Sequence, residues 1–357
     1  MDFFVKPESV ASYGSMVQGH SGYLDKANHY TDQYAHVEQA GGGLILQDIW
    51  ASHFEAQSMA CDYLNRLALV VRDSGADLMK AADMYRATDD ASAARVDGTY
   101  PGEDTRPTFA GPYRGISEFA FPPARLTPPT EPEDFEDPGG IVDTISDLLS
   151  PAKWIQEIVE SVIGDNPVEK AVEPWTGDWK SVAKASSAFN SVSLFCADAA
   201  KNIDLNMNLL RNDWGGHAAA SAEGYFTGVA NTLDSYRQGC ERLRDEYAHI
   251  AKGIADLTKA VVDYVSKLMD NAFWAALEVV AGGVLVETGV GPAVLWSLAA
   301  LECKAIVDNW SAITDCWEKA KYLAEYFNAA VTGISADGSY FQAHQPPGSA
   351  YHHPGVA

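Results

Sequence analysis

The 357-residue sequence predicts an all-α chain of two elongated antiparallel helical hairpins joined by a Pro-rich acidic linker. Three observations predict it. Apolar residues recur at steps of three and four over long stretches, glycine clusters separate paired stretches, and no alternating apolar-polar run of strand length appears. A composition of 47% apolar and 11% aromatic residues is enough to bury real cores and excludes wholesale disorder.

The first hairpin is expected over residues 1–98. Val10, Tyr13, Val17, Leu24, Ala27 and Tyr34 form one amphipathic stripe, and Gly41-Gly42-Gly43 stop it. The stripe resumes at Trp50, Phe54, Cys61, Leu64, Ala68, Val71, Leu78, Ala82 and Tyr85. A short Gly-rich connection between two such helices favours antiparallel packing. Residues 99–140 then hold nine of the 17 prolines and read as a linker. Its acidic end, Glu131-Pro132-Glu133-Asp134-Phe135-Glu136-Asp137, repels itself and is expected to stay extended, holding the two helical parts apart.

Residues 141–270 are expected to form the second hairpin with short helices before it. One helix carries Val182, Phe189, Val192, Cys196, Ala199, Ile203, Met207 and Leu210 and ends at Asn212-Asp213-Trp214-Gly215-Gly216. In that turn Gly lets the chain reverse while the Trp ring locks two helices at the apex; the nearby Trp175-Thr176-Gly177 reads as a helix start. The next helix has the most regular seam in the sequence: Val229, Leu233, Tyr236, Cys240, Leu243, Tyr247, Ile250, Ile254, Leu257, Val261, Tyr264 and Leu268 alternate steps of four and three. From His217 to Asp270 it would run about 80 Å, against about 50 Å for its predecessor, so its far end needs another partner. With Gly215 as apex, Cys196 and Cys240 stand six residues out of step, about 9 Å, which strains or forbids a disulfide.

Two stretches can cover the overhang: residues 141–163, and an apolar helical pair over 271–333. Within 272–301, Gly282-Gly283 and Gly289-Val290-Gly291-Pro292 break the run into helix, turn, helix. Glu278 and Glu287 leave no uncharged piece as long as the roughly 18 residues of a membrane span. Residues 334–357, rich in Gly, Pro and His, read as a disordered tail.

Charge and motif content narrow the function. A formal net charge of −24 argues against nucleic acid and anionic lipid as partners. Five scattered cysteines without Cys-x-x-Cys suggest neither a zinc site nor a disulfide scaffold. The nine histidines form no ligand set, so no metal and no cofactor is expected. No nucleophile elbow, zinc-protease helix, phosphate loop or Cys/His frame appears, so no catalytic residue is assigned and an enzyme is not expected. Met1 to Pro7 lack the basic and apolar regions of a Sec-type signal peptide, so the expectation is a protein that stays inside or leaves without a leader.

The Trp214-Gly215-Gly216 turn between two long helical patterns resembles the WxG (ESAT-like) helical hairpins exported by type VII (ESX) secretion, and residues 179–270 carry the likeness. The first hairpin, with Gly41-Gly42-Gly43 at its turn, is similar to the ESX-secreted variant that lacks Trp-x-Gly. The resemblance implies a Tyr-x-x-x-Asp/Glu export signal on the C-terminal side of a hairpin, read together with the turn by the secretion ATPase. Tyr85 and Asp89 fit, since positions i and i+4 share a helix face; Tyr34 to Glu38 lies before the turn and Tyr100 to Asp104 in the linker. It further implies a WxG-type partner hairpin protein, a cytoplasmic stage, and a secreted or cell-surface destination, with action by helix-helix binding and not by catalysis. The alternative is a membrane-active secreted effector that inserts residues 272–301.

Overall fold

A computed structural model of the chain describes residues 3–38, 42–88, 90–99, 115–133, 135–149, 153–164, 171–286, 292–336 and 349–353. The described part is all-α, with two two-residue strands, β1 (Phe4–Val5) and β2 (Trp214–Gly215). The helices are α1 (Pro7–Tyr34), α2 (Leu44–Ala87), α3 (Asp90–Asp97), α4 (Pro138–Leu149), α5 (Lys153–Ile163), α6 (Trp179–Leu210), α7 (His217–Val286) and α8 (Pro292–Ala336), with 3-10 turns at Pro122–Arg125 and Glu173–Trp175.

α1 begins with Pro7, whose missing N–H costs nothing at a helix start, and Glu8 beside the positive helix end. It runs antiparallel to α2, as the pairs Asn28 with Asn65 and Gln57 with the Asp32 carbonyl show. The two helices cross backbone to backbone where a Cβ on Gly75 would lie 2.5 Å from both the Gly14 carbonyl and the Gln18 nitrogen. The expected α1 stripe is buried except at Tyr34, where Tyr30 takes the inner position. In α2 the expected seam is wrong at its start: Phe54 is exposed, Trp50 and Cys61 are half-buried, and Ile49, His53, Ala56 and Ala60 face inward instead. Trp50 and Phe54 stack on each other outside, while small or polar side chains inside make room for the large rings of α7.

α6 starts at Asp178, whose carboxylate accepts Ser181 N at 3.0 Å, and every expected seam residue from Val182 to Leu210 is buried. The lead-in Trp175-Thr176-Gly177 clamps the first hairpin's turn, since the Thr176 carbonyl accepts Gly43 N at 2.7 Å. α6 and α7 are antiparallel: Arg211 pairs with Glu223, and Arg244 Nη1 reaches Asn190 Oδ1 at 3.3 Å. That register corrects the expected cysteine mismatch. Both pairs put Cys196 and Cys240 nearly level in one buried layer, and both are free thiols.

The linker does not hold the hairpins apart. They pack as one four-helix body, with α1 on α6 and α2 on α7, and with the turn of each at the open end of the other. Tyr63 stacks on Tyr236 at 4.9 Å, Tyr236 Oη donates to the Ala60 carbonyl, and His53 Nδ1 lies 2.7 Å from Tyr247 Oη. Tyr13 Oη donates to the Ile203 carbonyl at 3.1 Å. Residues 115–133 strap this body. Buried Asn202 and Asn206, one turn apart on α6, bond the backbone of Ser117, Phe119 and Ala120, and Tyr30 Oη donates to the Thr127 carbonyl. The acidic run is not self-repelled into solvent because Lys184, Lys259 and Lys180 meet Glu131, Glu136 and Asp137.

α7 spans 70 residues, about 105 Å at 1.5 Å per residue. It passes through Asp270 and Gly282-Gly283 without a break, so the boundary expected between 270 and 271 falls inside a helix. Both expected covers are present: α4 and α5 bury Val142, Ile145, Leu149, Ile155 and Val159, and α8 returns along α7 with Leu323 against Gly253 and Phe327 edge-on to Tyr247 at 5.1 Å. The expected tail is also corrected in part. α8 runs to Ala336, and Tyr351 and His353 are buried against α2 and α7; residues 337–348 and 354–357 lie outside the described residues.

Candidate functional site

The site is built at the end of the body where the second hairpin turns. β1 pairs antiparallel with β2, Val5 opposite Trp214 and Phe4 opposite Gly215. A side chain at 215 would meet the Phe4 ring, which lies directly over Gly215. Gly216 has φ +119°, which an L side chain rarely adopts, and lies against the Asp97 carboxylate. Asp97 accepts His217 N at 3.0 Å and Ala218 N at 2.8 Å, so α3 of the first hairpin caps α7 of the second. Buried Asp213 completes the join by accepting Ser9 Oγ at 2.6 Å and pairing with Lys6.

Trp214 is fully buried, and the aromatic ring beside it belongs to Tyr85, with centroids 6.2 Å apart and planes at 68°. The two residues chosen from separate motifs thus meet in one cluster. Tyr85 also touches Phe3 at 5.9 Å and His353 at 5.4 Å, and its Oη lies 2.8 Å from His353 Nε2. Only 5% of Tyr85 is exposed, which its place at a helix end did not suggest. α2 stops at Ala87 with Thr88 extended. Asp89 itself lies outside the described residues, as does Gly41; Gly42 and Gly43 pack beside Leu46 and Glu173 at the opposite end of the body.

Burial holds the His353 imidazole at a pKa of about 4 against the opposing pull of Asp77 and Asp97, so it is neutral at pH 7. His53 is likewise lowered to about 4, by burial and then by His36. It lies deep in the body between α2 and α7, where it braces the two hairpins. Among the described residues no three His, Cys, Asp or Glu side chains gather to hold a metal ion, and no helix is long and apolar enough to cross a membrane.

The residues missed from sequence are Asp97, Asp213, Tyr351 and His353. The two aspartates carry no local signal because their partners, backbone amides for Asp97 and the Ser9 and Lys6 side chains for Asp213, lie more than a hundred residues away. The chain matches no protein family, no curated protein and no solved structure.

Proposed function

We propose that this chain is a type VII secretion substrate or secretion-associated protein that works by helix-helix binding and assembly, not by catalysis. The observation that carries the reading is the contact between Tyr85, on the last turn of the first hairpin's second helix, and Trp214, at the second hairpin's turn. A signal residue and a Trp-x-Gly turn that are read together must be close, and here one chain supplies both. On this reading the WxG-type partner hairpin is met within the chain, each hairpin serving the other, and the outside partner is the secretion ATPase. The protein is made in the cytoplasm and ends outside the cell or on its surface.

Asp89→Ala, expressed in a host with a type VII system, is expected to stay folded and to remain in the cells. This is a cleaner test than Tyr85→Ala, because Tyr85 is also a packing residue. Export of the Asp89 variant at the level of the unaltered protein counts against the signal.

A second reading has its own observation. Near the far end of α7 and α8, Trp274 and Leu301 are 55% and 62% exposed, and Phe273 and Leu277 are exposed beside them. A membrane-active effector would use that end, and dye release from vesicles by the full chain is its signature.

A further inference from the structure

We propose that the groove between α2 and α7 is a docking site for a short peptide, and that its occupant, residues 349–353 of this chain, is an acid-released latch over Tyr85. The importance of the latch for export rests on the reading of Tyr85 given above; the docking site does not.

The groove is built for a peptide backbone and two side chains. Ser74 Oγ accepts Tyr351 N at 2.9 Å, and Tyr225 Oη donates to the Ser349 carbonyl at 3.1 Å while lying 2.9 Å from Ser74 Oγ. The Tyr351 ring enters between Tyr225 and Phe226, with centroids at 5.6 Å and 5.8 Å, and its hydroxyl donates to the Ala218 carbonyl. The next pocket takes His353, only 1% exposed, against Tyr85. Asp77 holds the rim, with Oδ2 3.1 Å from His352 Nδ1 and 3.4 Å from His353 N. The pattern recognised is aromatic, His, His on a chain outside any helix or strand.

Two features make this contact a latch and not a piece of the core. Residues 349–353 belong to no helix or strand, so they can leave without breaking a backbone ladder. They also cover what the site would present: with His353 seated, the Tyr85 hydroxyl and ring are closed to any protein that reads them.

Acid release follows from the groups that face His353. These are Tyr85 and Asp77 from α2 and Asp97 from α3, and Lys80 pairs with Asp77. The carboxylates favour an imidazolium, yet burial outweighs them and the seated ring titrates at about 4. A released histidine titrates near about 6.5. Seating is therefore at full strength above about pH 6.5 and weakens down to about pH 4, by roughly 30-fold at pH 5. The His352 side chain beside Asp77 is 71% exposed, so its pairing is solvent-screened.

The test uses the full chain and a fluorescein-labelled peptide of residues 349–354. At pH 7.5 the double variant Tyr351→Ser, His353→Ala, whose own latch is disabled, is expected to bind the probe at least about tenfold more tightly than the unaltered chain, whose groove is filled. At pH 5 its binding is expected to weaken roughly 30-fold. Equal binding by both chains, or no binding by the variant, overturns the docking site. Binding that does not weaken at pH 5 overturns acid release. Should the variant not fold, hydrogen exchange on the unaltered chain decides: 349–353 is expected to lose protection at pH 5 while α1 and α6 keep theirs, and retained protection overturns the latch. Probe binding together with normal export of Asp89→Ala removes the export reading and leaves the docking site. A blocked Asp89→Ala without probe binding does the reverse.

Discussion

Trp214→Ala is expected to destabilise the chain by about 3–5 kcal/mol, read as a lower urea midpoint at unchanged slope. The ring is fully buried where β1, β2 and the end of α2 meet, so its removal leaves a cavity bordered by Tyr85. The surrounding backbone has little freedom to collapse, because Val5 is bridged to Trp214 and Asp97 holds the next two amides beyond the turn. Trp274→Ala supplies the contrast. That ring is 55% exposed, and its loss is expected to change stability by no more than about 0.5 kcal/mol. Equal effects of the two substitutions would place Trp214 outside any locked turn.

Gly75→Ala is expected to cost about 1–3 kcal/mol although it replaces the weaker helix former by the strongest. In an exposed helix the same change stabilises by up to about 1 kcal/mol, so the sign of the effect reports the helix crossing. A methyl at 75 would meet Gly14 O and Gln18 N, which are backbone atoms and cannot rotate away. α1 and α2 must then separate along the crossing. Gly22→Ala on α1, where nothing lies within 4 Å, is the control and is expected to be neutral or stabilising. A stabilising Gly75→Ala would show that the two helices do not approach so closely in solution.

The legibility of this chain followed the range of its interactions. α6 and α7 could be read almost residue by residue, because their apolar seams face one another along their shared length and spacing alone reports which side is inside. The start of α2 could not. There the inner positions are Ile49, His53, Ala56 and Ala60, and what selects them is the bulk of Tyr236 and Tyr247 on a helix nearly two hundred residues later. The linker misled for a related reason. Its prolines and acids describe a chain that does not form helix, but whether such a chain stays in solvent depends on Asn202, Asn206 and three lysines that its own composition cannot reveal. At the candidate site Trp214 and Tyr85 were each visible from their motifs, whereas Asp97, Asp213 and His353 act through a few long-range bonds that leave no periodic trace.

The central claim is that the two hairpins form one body, so that Tyr85 and Trp214 are presented together. A double-mutant cycle on Tyr63 and Tyr236, which stack across the hairpin interface at 4.9 Å, tests it most directly. With each replaced by leucine, singly and together, urea unfolding followed by probes on α1 and on α6 is expected to give coincident transitions. The coupling between the two sites is expected to be about 1 kcal/mol. Additive effects, with the two hairpins unfolding in separate transitions, would contradict the account.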